Sequence, residues 1–541
     1  MHGSSNPERY WFRTSGVTAT ADPTPSSSAP GVPSAAAGGV VVAGFGLAVG
    51  ELVAATSERL RSPVIDVGDR VIDLVPAAIK DLAIALFGTN DKIALLVGIG
   101  LAIVIFAALV GVLAFRDRLA AALAGVAAFA TLGSAAALLS RTDVAWWAAA
   151  PTLAGSAVTA GVLVVLVRRF GPAAQEATSD PMALRPNGRR RFLASLGVIT
   201  AGAATAAVAG RQLNQRRDSV VAAARTNSTF PEPATTLAPA PSSVQAPNAA
   251  SFYTANADFY RIDTALVVPR ISVDDWALSV TGMVDEPITY TFDELTSSFD
   301  VVESDITLTC VSNTVGGDLV GTARWRGVRL DQVLEQSGID PGADQIVGRS
   351  SDGYTGGFPV AALDGRDALI AFGMNGEPLP PEHGYPARLI VPGLYGYVSA
   401  TKWLTEIELT TFDAFDHYWV PRGYAAEAPI KQQSRIDSPR GLDRIPPGPT
   451  VIGGVAWAQT VGIDAVEISI DDGPWIAADL ADELNDSTWR QWSYPWDATA
   501  GRHTITVRNR NAAGAIQTSE RSEPLPDGAT GHHTIVVLVE S

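Results

Sequence analysis

The sequence predicts a multidomain chain in three parts: an α-helical membrane region, then an α+β domain, then a β-sandwich. Three observations carry this reading. Four charge-free runs crowd the first 210 positions, each long enough to cross about 30 Å of hydrocarbon. From residue 251 strand-like and helix-like stretches alternate, as in "DWALSVTGMV" followed by "FDELTSSF" and "RLDQVLEQSGI". After the Pro-rich passage "SPRGLDRIPPGP" at 438–449 only period-two strand patterns remain. A chain of 541 residues is in any case too long for one core. Its net charge of −17, with no basic stripe outside the membrane-flanking loops, argues against nucleic acid as a partner.

Residues 1–35 are rich in Ser, Pro, Thr and Ala without apolar periodicity, and read as disordered. The membrane region, 36–210, holds about five transmembrane helices: the charge-free runs 93–115, 119–139, 144–167 and 192–210, and a weaker one at roughly 36–56 that Glu51 interrupts. An acid inside a span is either a functional group or a helix-end residue near headgroups, and both readings stay open for Glu51. "VIDLVPAAIKDLAIALF" (71–87) mixes charge with apolar residues as an interfacial helix does, with a buried soluble helix as the alternative. Short loops carrying Arg116 and Arg118, then Arg168, Arg169, Arg185 and Arg189 to Arg191, should face the cytoplasm. That places everything after 210 outside, with the chain a multi-pass protein of the cell membrane.

Arg189-Arg190-Arg191-Phe192-Leu193 fits the twin-arginine pattern, followed by an Ala- and Gly-rich run. Such signals are addresses read by a receptor, and their route carries domains already folded. The plainer alternative is that the arginines only enforce topology. None of the six histidines lies in a span, so paired haem ligation there is not expected. Residues 211–250 pass from a basic juxtamembrane piece into "PEPATTLAPAPSSVQAPNAA", an extended linker. The α+β domain then occupies 251–415. In 416–541, "VEISIDDGPW", with its turn placed at Asp472-Gly473, "HTITVRNRN" and "HTIVVLVE" alternate as the strands of an immunoglobulin-like sandwich. No catalytic cluster marks it, and packing or dimerisation is its expected role.

Cys310 is the one cysteine of the chain. It cannot form an intrachain disulfide, which leaves an inert buried thiol, a nucleophile or a metal ligand. It follows the strand-like "DITLT" and precedes a loop with Gly316, Gly317 and Gly321, where backbone can approach a ligand closely. A nucleophile needs a base and an orienting partner. His383 and Asn375 exist, but no helix N-terminus flanks Cys310 to activate it.

"DFYRID" (258–263), "LTCVSN" (308–313), "ARWRGVRL" (323–330), "SDGYTGGFP" (351–359) and "HGYPARLIVPGLYGYVSATKWLTEIEL" (383–409) together resemble the sulfite oxidase family of molybdopterin-dependent oxidoreductases. "STWRQWSYPWDATAGRHTITVR" resembles that family's dimerisation domain. The resemblance covers 251–541, and the first 210 residues look like the membrane module of actinobacterial relatives. It implies an enzyme carrying the molybdenum-molybdopterin cofactor (Moco) and transferring an oxygen atom to or from a small-molecule substrate. Cys310 would ligate the metal, a soft thiolate suiting a metal already held by sulfur. Arg388 and Lys402 would hold the cofactor's phosphate, with Ser399, Ala400 and Thr401 offering donors between them. Tyr260, Arg261 and His383 would contact the cofactor, and Tyr354 would face the substrate.

The sequence also departs from the family. Sulfite-oxidising members carry arginines just after the cysteine motif, where this chain has Thr314 and Val315. Sulfite itself is therefore doubtful, unless Arg261 or Arg324 substitutes. The spacing from Arg388 to Lys402 is one residue longer than usual. With no added haem domain and no CxxCH site, electrons must pass to a redox partner protein or a quinone-linked carrier. A methionine sulfoxide reductase-like repair enzyme differs only in substrate and direction, and a scaffold that has lost the cofactor is the noncatalytic alternative. The lipid membrane and a second copy in a homodimer complete the expected partners.

Overall fold

In the computed structural model, residues 30–540 are described except for 58–59, 76–85, 87–90, 140–144, 173–187, 228–231, 242–245 and 247. Among the described residues, five helices are long and apolar enough to cross a membrane: α1 (Val32–Ala54), α3 (Asp91–Ala114), α4 (Leu119–Leu139), α5 (Ala150–Phe170) and α6 (Gly188–Asn227). α2 (Pro63–Leu74) is shorter and amphipathic. Glycines set how closely these helices approach. A Cβ on Gly39 of α1 would lie 2.1 Å from the Ala107 carbonyl of α3, and one on Gly46 would lie 2.5 Å from that of Gly155 in α5. At one end of the bundle Phe192 packs edge-on between Phe115 and Phe170, so the arginine motif's phenylalanine is part of the core while Arg189 to Arg191 stay exposed.

Several expectations change here. Residues 1–29 lie outside the described residues, and Val32 to Ala35, read as disordered, already belong to α1. Most of the 71–87 stretch also lies outside them, while its first residues close α2. Glu51 accepts a hydrogen bond from the Ser62 hydroxyl, which in turn caps the amides of Val64 and Ile65. Its partner is thus the cap of α2. The piece 211–227 is not linker but the continuation of α6. "RQLNQRRDSVVAAARTN" contains no Gly or Pro and many good helix formers. A 40-residue helix is about 60 Å long, well beyond a bilayer's core. Its far end docks on the next domain, where Val221 joins a buried cluster with Phe259, Trp325 and Tyr385. Arg225 there donates to the carbonyls of Pro378 and Leu379.

The middle domain has ten strands: β1 (Ala277–Gly282), β2 (Ile288–Thr291), β3 (Val301–Thr309), β4 (Val320–Arg329), β5 (Gln345–Ser350), β6 (Thr355–Pro359), β7 (Leu369–Met374), β8 (Glu377–Pro378), β9 (Arg388–Ile390) and β10 (Leu404–Thr410). One sheet runs β2-β1-β10-β5-β6 and the other β3-β4-β7-β8, with β9 added beside β7. Helices α7 (Phe292–Ser298) and α8 (Leu330–Ser337) close the core, and α9 (Gly396–Ser399) is a single turn beside the site. α7 starts on a capping box, Thr291 and Glu294 bonding each other's backbone. The core runs on past 415: Ala428 is buried in it, and Trp419, Tyr424 and Ile430 pack against it.

The last domain therefore starts at Gln433, later than the expected 416. Its strands are β11 (Gln433–Ser438), β12 (Arg444–Ile445), β13 (Gly448–Trp457), β14 (Ile463–Ile470), β15 (Ile476–Ala477), β16 (Asp479–Leu480), β17 (Arg490–Ala498), β18 (Gly501–Asn511) and β19 (His533–Val539). Two sheets, β11-β13-β17-β16 and β12-β19-β18-β14-β15, enclose Ile452, Val466, Ile468, Trp492 and Val507. The β14–β15 turn sits one residue earlier than the sequence suggested, at Asp471-Asp472, both with positive φ (54° and 57°), a conformation aspartate tolerates.

Candidate functional site

A cleft holding about 770 Å³ of empty space, part of it open to solvent, lies in the middle domain between the ends of β3, β5 and β9 and the segment 396–403. The cysteine strand supplies one wall. β3 alternates apolar residues into the core up to Leu308, then ends at Cys310, whose amide donates to the Leu319 carbonyl at 2.9 Å. Asn313 pins the following turn by accepting from the Leu319 amide at 2.9 Å. Burial pushes the Cys310 thiol up, against hydrogen bonds from Ser312, so the free thiol stays protonated and is no nucleophile at neutral pH.

Arg388, at the start of β9, is buried in the opposite wall. Its guanidinium donates to the carbonyls of His383 (2.9 Å) and Ala400 (3.2 Å) and lies 5.2 Å over the ring of Trp325. Burial pulls it down to about 10. Lys402 stands beside it, donating to the Asp263 carboxylate at 3.0 Å and the Glu382 carbonyl at 3.2 Å. Burial lowers Lys402 to about 8, partly countered by Asp263. The two cations meet over Gly384, whose φ is +114° and whose missing Cβ would lie 3.1 Å from the Cβ atoms of both. Trp403, at φ +51°, donates its indole N–H to the Pro381 carbonyl at 2.8 Å. That left-handed residue turns the chain from Lys402 into β10.

Three more expected residues line the cleft. Tyr260 sits between Arg388 and Cys310 electrostatically, and burial raises its phenol far above the usual range. His383 is buried with Nε2 2.9 Å from the Asn256 carbonyl. That acceptor assigns the proton to Nε2, and burial holds the ring neutral at about 4. Tyr354 donates its hydroxyl to the Tyr397 carbonyl and is likewise pushed up by burial.

Other expected residues lie elsewhere. Ala400 lines the cleft, but the Ser399 hydroxyl is committed to the Leu394 and Tyr395 carbonyls and that of Thr401 to Gly348. Arg261 is half-exposed and pairs with Asp263 at 2.8 Å. Arg324 cannot replace the missing arginines of the cysteine loop. It is turned away onto Asp305, Tyr253 and the Ala238 carbonyl. Asp263 went unassigned in the sequence, although it closes "DFYRID". Burial alone would raise it, yet Lys402, Lys92 and Arg261 hold it down to about 2.

Residues 265–419 match the family described as an oxidoreductase molybdopterin-binding domain. The chain carries a molybdopterin-binding oxidoreductase domain of the sulfite oxidase family. Among curated relatives, NADH nitrate reductase 1 of Oryza sativa subsp. japonica is 37% identical over 180 residues, covering 28% of this chain and 19% of that one. The NADH nitrate reductase of Spinacia oleracea is 34% identical over 178 residues, covering 28% and 19%. The chain thus spans about a fifth of the length of these relatives. Among solved structures, the sulfane dehydrogenase SoxCD of Paracoccus pantotrophus aligns with a TM-score of 0.48 and 21% identity, over 54% of this chain and 84% of that one.

The residues present fit the cofactor such a domain holds. A guanidinium buried without a carboxylate partner is costly unless an anion reaches it, and among the described residues Arg388 bonds only carbonyls. Lys402 has committed two of its three donors to described partners. A thiol held protonated by burial becomes a thiolate once a metal binds it. The cleft thus brings two buried cations, Arg388 and Lys402, together with the Cys310 thiol and the Tyr260 phenol.

Proposed function

We propose that the protein is a membrane-anchored molybdenum-molybdopterin oxidoreductase, its catalytic domain outside the cytoplasm, acting on a small uncharged substrate by oxygen-atom transfer. The carrying observation is Arg388, a buried cation without a carboxylate, in the same cleft as the lone cysteine. The bound cofactor supplies two-electron oxygen chemistry. Cys310, as a thiolate, would hold the metal. Arg388 and Lys402 grip the phosphate, and the neutral Nε2-protonated His383 keeps that end shaped without adding charge. Tyr354, which stays protonated, offers a hydroxyl but cannot act as a base.

The substrate's charge is argued from the cleft wall. Arg388, Lys402 and the neutral His383 are its only basic lining residues, all in the cofactor-binding set, while Asp352 sits beside Tyr354 with its carboxylate accepting from the Tyr354 amide at 3.1 Å. A carboxylate there repels anions such as sulfite or nitrate, whereas the rings of Tyr354 and Trp419 suit a neutral molecule. A neutral sulfoxide fits this wall. The five apolar helices and the positive loops support anchoring with residues after 210 outside. A sulfoxide that gives up its oxygen takes two electrons, which a redox protein or a quinone-linked carrier would supply, and the sandwich is a candidate homodimer surface.

Full-length protein from cells able to make the cofactor should hold about one molybdenum and one pterin per chain. Cys310→Ser should keep the pterin and lose turnover. Folded wild type with neither metal nor pterin overturns the proposal, and so does an active Cys310→Ser variant.

A further inference from the structure

Lys92 of the helical region bonds a segment that forms part of the cleft wall. Lys92 stands in the first turn of α3, ahead of its apolar run. Its Nζ lies 3.1 Å from Asp263 Oδ1, 3.1 Å from the Asp263 carbonyl and 2.8 Å from the Ala265 carbonyl. Each of the three ammonium protons thus has an acceptor. Ile262, Asp263 and Thr264 form part of the cleft wall. The next turn of the same contact is apolar: Leu266 lies against Gly68 of α2, where an added Cβ would come within 2.7 Å of its Cδ1.

The Asp263 carboxylate, with a side chain only 3% exposed, is shared by three cations, Lys92, Arg261 and Lys402. One negative charge cannot neutralise three positive ones. Lys92 takes Oδ1 of the carboxylate while Arg261 and Lys402 share Oδ2, so Lys402 is oriented by Asp263 without being cancelled by it. Arg388 adds a further cation next to Lys402. The clamp keeps an excess of positive charge suited to a phosphate, and its rim is fixed through two backbone carbonyls.

We propose that Lys92 is a positioning residue for the cofactor's phosphate clamp, acting through Asp263 on Lys402, so that the helical region sets the cleft's hold on its cofactor. This rests on the molybdopterin reading above. It makes the helical region part of the cofactor site rather than only an anchor.

The test uses the full chain in detergent, loaded with cofactor, and follows pterin and molybdenum remaining on the protein over time after dilution. Lys92→Met should lose pterin about tenfold faster than wild type, as expected for one weakened charge-assisted contact. Lys92→Arg, which keeps the cation, should restore retention to within about threefold. Arg225→Met is the control, because Arg225 also ties a membrane helix to the catalytic domain, at Pro378 and Leu379, without touching Asp263. It should keep pterin at the wild-type rate. Equal losses in Lys92→Met and Arg225→Met would reduce Lys92 to a docking contact and overturn the proposal, as would wild-type retention in Lys92→Met. Wild-type chains without pterin would instead remove the underlying reading, and the proposal with it.

Discussion

Replacing Arg388 by Met separates binding from folding, because the guanidinium is costly to the empty protein. Burial pulls it down to about 10. A cation depressed on folding destabilises the fold at every pH below about 10, and the cost fades only as pH rises above that toward the free guanidinium's value. At neutral pH that difference is worth about 3 kcal/mol. Against it stand the two carbonyl hydrogen bonds, about 1 kcal/mol each, and the stacking over Trp325, about 1 kcal/mol. These nearly cancel, and Met keeps most of the buried stem. Cofactor-free Arg388→Met should therefore melt within about 3 °C of wild type by calorimetry. Loading is another matter. Losing two charge-assisted bonds to the phosphate, about 1.5 kcal/mol or more each, weakens cofactor binding by roughly 100-fold or more. Pterin content measured on the same preparations checks this. A variant that unfolds many degrees early yet retains full pterin would refute the reasoning, since Arg388 would then be holding up the fold and not the cofactor.

Lys402 carries a pH dependence. In the empty protein its charge is present below about 8 and lost above it, because burial outweighs the pull of Asp263. Pterin uptake by empty protein should weaken as pH rises through 8, and Lys402→Arg should flatten that profile; a wild-type profile flat to pH 9.5 would speak against it. Gly384→Ala forces a side chain into φ +114° and into the gap between Arg388 and Lys402. A loss of about 1–3 kcal/mol in stability is expected, together with reduced pterin content, and calorimetry on loaded and empty protein measures both.

Six of the residues singled out in the sequence line one cleft, while the residues that support them were missed. Cys310, Arg388, Lys402, His383, Tyr260 and Tyr354 meet in one cleft because each sits in a short motif whose local structure fixes its direction. Ser399 and Thr401 sit between the two cations in sequence yet turn their hydroxyls to backbone carbonyls. Hydroxyls bond whatever carbonyl the local turn offers, and sequence spacing does not reveal which. Asp263 and Lys92 were invisible for another reason. They are 171 positions apart, and no periodicity couples a helix start to a distant loop. The same gap hid the run of α6 to Asn227, because a polar helix end looks like linker until the surface it docks on is known.

The sandwich raises the same question of support, and its contacts answer it. β3 is an edge strand, paired only with β4, and an unpaired edge that ends beside Cys310 would leave that thiol poorly fixed. The sandwich completes the edge. The Thr307 amide donates to the Ser487 carbonyl at 3.0 Å, the Trp489 amide to the Thr307 hydroxyl at 2.8 Å, and Asn485 to the Asp305 carbonyl at 3.0 Å. Arg435 donates to the Gly317 carbonyl at 3.0 Å, and the His533 ring fills the space beside Gly316, where a Cβ would lie 2.3 Å away. Strand and following loop are thus both gripped from the C-terminal domain, while Lys92 grips the wall that holds the phosphate clamp. A domain without a catalytic group of its own earns its place by this contact: it takes the slack from the strand that presents Cys310, as the helical region does for Lys402.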